Sequence, residues 1–189
     1  AKDYFGKASD LFPDNPEALN SLAQINQQLG EHVIAIQCWQ KAHQLDPENP
    51  KYKISIAESH LARKEFDQAI EQADQVLFSH PGNERALWLI ASAQLQSGNK
   101  QLAKKSIDNA RLIAADPVPF ELLSIDLYSP DQPTLVLPAL KKLAEKYPDN
   151  VSVLNRLAAC QIDSGLPDKA NITLNNSLTI DTENAETLI

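Results

Sequence analysis

A chain of 189 residues, 43% hydrophobic and 22% charged, carries enough apolar material for one domain-sized core or a short repeat array. Its formal net charge of -8 excludes nucleic acid as the main partner, because phosphate binding needs clustered Lys and Arg. With aromatics at 6%, few glycines and no methionine, the core has to be built largely from Ala, Leu and Ile, which favours helix.

The prolines set a register. Pro13, Pro47 and Pro81 are 34 residues apart, and Pro148 follows 67 later, two periods less one. Ala1, Ala35, Ala69, Ala103, Val136 and Ala170 keep the same step, with one residue missing between Ala110 and Phe120. Residues 1–15 therefore read as the second helix of a partial unit. Full units follow at 16–49, 50–83, 84–116, 117–150 and 151–184, and 185–189 begins another.

In the first full unit Leu19, Leu22, Ala23, Ile25 and Leu29 mark one face of a helix, and Val33, Ile36, Trp39, Ala42 and Leu45 that of a second. Pro16 and Pro50 start first helices, where a missing N–H costs nothing. Gly30, Gly98 and Gly165 end first helices, where the chain must turn left-handed and glycine does so without penalty. Two further small columns, Ala23, Ala57, Ala91, Ser124, Ala158 and Ala8, Ala42, Val76, Ala110, Leu143, Ser177, let antiparallel helices approach closely.

The unit 117–150 is irregular, with Pro117, Pro119, Pro130, Pro133 and Pro138 and without Ala in the small columns. Pro133 is placed to begin a helix. Pro138 falls about a turn later and predicts a kink or a late start there, and a bend of the array at this unit.

Outside the repeat the chain is plain. Lys100–Lys105 and Lys141–Lys146 are interrupted by apolar residues at helical spacing and read as solvated faces. Cys38 and Cys160 have no partner at metal-like spacing and read as small buried residues. No apolar run reaches membrane-spanning length, and Ala1–Asp10 lack the basic-then-apolar order of a secretion signal, which leaves the compartment, cytoplasmic or periplasmic, unread. His32, His43, His60 and His80 are scattered, with no HExxH, phosphate loop or serine elbow beside them, so neither an enzyme nor a cofactor or metal site is expected in this span.

The period, the small columns and the closing prolines together resemble the tetratricopeptide repeat, over the whole chain and most faithfully in 16–49. The aromatic that the family places in the first helix is replaced by Asn26, His60, Gln94, Leu127 and Gln161. The resemblance implies an all-α solenoid, a right-handed superhelix of antiparallel helix pairs, whose first helices line a concave groove. Groove-facing positions become Asn20, Gln24, Gln27 and Gln28, then Lys51, Ile54, Glu58 and Leu61, then Arg85, Trp88, Ser92 and Leu95. Glu121, Ile125 and Tyr128 follow, then Asn155, Ala159 and Ile162. Trp88, next to core residue Leu87, is expected to be partly exposed and to serve as an apolar anchor.

Some members of the family grip a C-terminal carboxylate with clustered Lys, Arg and Asn. Here Asn20, Gln24, Ser55, Arg85 and Leu89 stand at those places, with too little positive charge for that task. The resemblance therefore implies a scaffold that binds a peptide or a partner protein in its groove. It also accommodates an accessory array of a larger enzyme or of a polysaccharide-export or secretion assembly, and self-association through uncapped ends.

Overall fold

The structure, a computed structural model, describes residues 14–129 and 133–181. The expectations for Ala1–Pro13 and for 185–189 lie outside those residues. Ten helices occupy the described chain, with no strand among the described residues. They are α1 Pro16–Gln28, α2 His32–Leu45, α3 Pro50–Ala62, α4 Phe66–Ser79, α5 Glu84–Gln96 and α6 Lys100–Ile113 in a first compact unit ending at Ala115. A second unit, from Asp116, holds α7 Val118–Tyr128, α8 Pro133–Lys146, α9 Val151–Asp163 and α10 Pro167–Ile180.

Four first helices, α1, α3, α5 and α9, are started by an asparagine cap that takes up N–H groups left without intrahelical partners. Asn15 Oδ1 accepts from Glu17 N at 2.9 Å and Ala18 N at 3.1 Å, Asn49 Oδ1 from Lys51 N at 3.2 Å, and Asn83 Oδ1 from Ala86 N at 3.0 Å. Asn150 Oδ1 accepts from Val153 N at 3.1 Å, while before α7 Pro117 is the capping residue and Asp116 Oδ1, one residue earlier, accepts from Val118 N at 3.0 Å. The turns into α3 and α5 place three residues between the second helix and the cap, Asp46–Glu48 and His80–Gly82. The turn into α7 has only Ala114 and Ala115 before Asp116, so the missing residue of the period lies here.

The first helices end alike. Gly30, Gly98 and Gly165 have φ of 76°, 84° and 71°, and the next N–H reaches back to the carbonyl of Asn26, Gln94 or Gln161 at 2.8, 2.9 and 2.8 Å. In α3 the same turn is made by Lys64 at φ 61°, with Glu65 N bonded to His60 O at 2.9 Å. Lysine in that conformation carries a Cβ clash that glycine avoids, about 1–2 kcal/mol.

Buried clusters reach from one helix pair to the next. Leu19 and Ala23 of α1, Ala35, Ile36, Trp39 and Ala42 of α2, and Tyr52 and Ile56 of α3 form one buried cluster. A second joins Ala57 and Leu61 of α3, Ala69, Ala73 and Val76 of α4, and Ala86, Leu89, Ile90 and Ala93 of α5. In the second unit Val118, Leu143 and Val153 bring α7, α8 and α9 together. Most alanines of the small columns are fully buried, as their packing role requires.

Some expectations are corrected. Leu29, Val33 and Leu45 are exposed, because each sits at a helix end beyond the reach of the neighbouring pair. Cys38 and Cys160 are half-buried thiols rather than buried residues, and burial pushes the Cys38 thiol up. A late start after Pro138 is not observed, since α8 begins at Pro133 and runs through Pro138 to Lys146. Early in a helix, the lost N–H of Pro138 removes one bond, to Thr134, and the remaining turns carry the element.

Candidate functional site

Most sequence-predicted groove residues of the described chain lie on the first helices of the first unit, α1, α3 and α5. Asn20 does not present itself there. It is 2% exposed, and its Oδ1 accepts from the Trp39 indole Nε1 at 3.0 Å, so it holds α1 to α2. Ser92 is also buried, at 3%, and accepts from Gln96 Nε2 at 3.1 Å within α5. Leu61 belongs to the core cluster, and Ile54 packs against it from the side. A buried indole N–H or hydroxyl needs a partner, and helix pairing supplied one from a position that the family register turns outward.

What remains accessible clusters on α3 and α5. Arg85 Nε donates to Glu58 Oε1 at 2.7 Å, tying the two first helices together, and the same guanidinium stands 4.5 Å over the centre of the Trp88 ring. Trp88 itself is half-buried, its body resting on the second core cluster. Lys51 and Gln24 are exposed, and Gln27 and Leu95 half-buried. The arrangement is an aromatic face under a cation whose second partner is a carboxylate, a combination able to accept apolar and acidic groups at neighbouring points.

The second unit places its residues differently. Glu121 pairs with Lys146 Nζ at 3.6 Å, and Asn155 Oδ1 accepts from Ser177 Oγ at 2.8 Å between α9 and α10. Both are thereby engaged inside the helix pairs. Tyr128, Ala159 and Ile162 are exposed. Ile125 and Tyr128 line an apolar cleft of about 280 Å³ between α7 and α8, closed by Ser124, Ser129, Leu135, Val136 and Ala139. Ser124 and Val136 are two of the three positions where this unit lacks the alanine of the small columns, so the cleft opens where the packing code lapses.

The family's missing aromatic has a substitute that sequence reasoning did not foresee. Gln94 Oε1 accepts from Ser106 Oγ at 2.7 Å, and Gln161 Oε1 lies 2.9 Å from Thr173 Oγ1, each an amide–hydroxyl link between the helices of one pair. His60 in the same column turns instead to Glu65, Nδ1 to Oε2 at 2.7 Å, while Arg63 Nε and Nη2 hold Glu65 Oε1 at 2.9 and 2.7 Å. The side-chain bonds from Arg63, then His60, pull the Glu65 carboxyl down to about 2. Among the described residues no three His, Cys, Asp or Glu stand close enough to hold a metal, and no helix is long and apolar enough to cross a membrane.

Comparison with known proteins agrees with this architecture. Residues 139–189 match the coatomer epsilon subunit family. The small glutamine-rich tetratricopeptide repeat-containing protein 2 of Mycosarcoma maydis is 27% identical over 116 residues, 58% of this chain and 32% of that protein, so the chain spans about a third of this relative's length. A tetratricopeptide repeat protein from Parabacteroides merdae ATCC 43184 shares the fold at a TM-score of 0.68 and 17% identity, over 99% of this chain and 75% of that one. YrrB, described as a tetratricopeptide repeat protein with an unusual peptide-binding site, does so at 0.56 and 14%, over 100% and 97%. Family and fold together support an interaction scaffold of stacked helix pairs. Residues 16–49 and 54–117 match tetratricopeptide repeats, and with the capped, glycine-ended helix pairs seen here the chain belongs to that family.

Proposed function

We propose that the protein captures a peptide segment or a partner's extended loop on the first-helix wall of its first unit, centred on Glu58, Arg85 and Trp88. The observation that carries this reading is the Arg85 guanidinium, bonded to Glu58 and stacked on Trp88 across two adjacent helices. Both contacts lie at the surface, where an incoming acidic group can exchange for Glu58 while an apolar side chain covers the indole. The peptide-binding site of YrrB, a protein of the same fold, is consistent with such use. Gln24, Gln27 and Lys51 supply flanking polar groups for an extended backbone.

The test is selection of peptides from a random displayed library on the wild-type chain, followed by affinity measurement on variants. Trp88→Ala should weaken the selected peptides by at least tenfold, and Arg85→Glu should change which peptides are selected. Affinity unchanged in Trp88→Ala would place recognition elsewhere.

A further inference from the structure

Among the described residues of the first unit, the most exposed large hydrophobic side chains are not on the first helices. Phe78 is 92% exposed and Leu112 84%, and each is the penultimate residue of a second helix, α4 and α6. They are 34 residues apart and so occupy the same place in successive repeats. Ile113, beside Leu112, is 60% exposed. On α4 the stripe leading to Phe78 runs Asp67, Glu71, Asp74, all exposed, and the helix has no basic residue. On α6 the corresponding stripe is Gln101, Lys105, Asp108 and Leu112, and the helix as a whole carries four bases, Lys100, Lys104, Lys105 and Arg111, against the single acid Asp108.

This pairing of opposite charge and matched apolar tips is what a two-fold interface requires, where one patch must complement itself. We infer that the outer face of α4 and α6 binds the same face of a second copy of this chain. A two-fold axis parallel to these helices sets α4 of one protomer against α6 of its partner at the same level. Glu71 then meets Lys105, also 34 residues apart, and Phe78 meets Leu112. Asp74 would meet Asp108, whose charge Arg111 offsets from 3.9 Å.

Two helices about 21 Å long can cover an area well below the ~800 Å² per partner of standard interfaces, so the dimer is weak and sensitive to salt. The surface is distinct from both the groove wall and the array ends, and the inference stands whatever the groove binds.

Sedimentation of the full chain over a hundredfold concentration range tests it, with circular dichroism confirming that each variant folds. The expected result is a reversible dimer that weakens at high salt. Phe78→Glu or Leu112→Glu should weaken it at least tenfold, Glu71→Lys and Lys105→Glu should each weaken it, and the two swaps together should restore it. A monomer at every concentration overturns the inference. So does a dimer indifferent to Phe78→Glu, which would be held through the ends, or a double swap that fails to restore pairing.

Discussion

The indole N–H of Trp39 donates to the carboxamide oxygen of Asn20 across the first helix pair, and both residues are buried. Asn20→Ala leaves that N–H without a partner in a dry site, a loss of about 1–3 kcal/mol. Trp39→Ala removes the largest side chain of the cluster and should cost about 3–5 kcal/mol. Urea unfolding of both variants checks the order. Peptide binding at Trp88 should survive Asn20→Ala, since Asn20 does not reach the wall.

Left-handed backbone at the end of α3 falls on Lys64, where three equivalent turns use glycine. Lys64→Gly should therefore raise stability by about 1 kcal/mol, and Gly98→Ala should lower it by a similar amount. No atom lies within 4 Å of a Cβ built at Gly98, so the loss would report backbone strain rather than a collision. Thermal melts of the two variants should move in opposite directions.

Acid should act on the same turn through Glu65. Its carboxyl is held at about 2 in the fold against an ordinary 4.5, so its contribution is complete above pH 4.5 and disappears as pH falls through about 2. Stability of wild type and Glu65→Gln, followed by denaturant titration, should differ near neutrality and converge at the acid end. A difference that persists unchanged below pH 2 would assign the effect to something other than this carboxylate.

The cleft between α7 and α8 offers unfilled apolar volume beside Ala139. Ala139→Leu should fill part of it and raise the melting temperature, a gain of about 0.5–2 kcal/mol typical of cavity filling. Destabilisation would mean that the walls cannot accept the added methylenes.

Much of this fold is legible in the sequence, because a stacked array repeats its constraints at one spacing. Three glycines at the same column announced the left-handed turns, and the alanine columns announced close packing. The column Asn15, Asn49, Asn83, Asp116 and Asn150 was equally visible as a period, and its shift to a step of 33 at Asp116 marks the shortened turn. It escapes notice because asparagine before proline reads as a loop signal first. Lys64 was not legible as left-handed, since its side chain gives no hint of the backbone it adopts.

The candidate site was harder to read. A family register assigns outward directions by column, but Asn20 and Asn155 share a column and are both claimed by second helices, through Trp39 and Ser177. Which polar side chain is taken inward depends on what its neighbour needs. Glu58 lies on α3 and Arg85 and Trp88 on α5, and the contacts that join them across two repeats have no signature in spacing alone.

The first core cluster borrows Tyr52 and Ile56 from the pair that follows it, so the first pair does not close its own interior. Length changes in the first unit are therefore constrained to whole steps. Excising residues 50–83 would join Asn49 to Glu84, a cap to a helix start, and would present an equivalent face to Trp39. Removing a number of residues that is not a whole number of repeats would rotate that face away from Trp39.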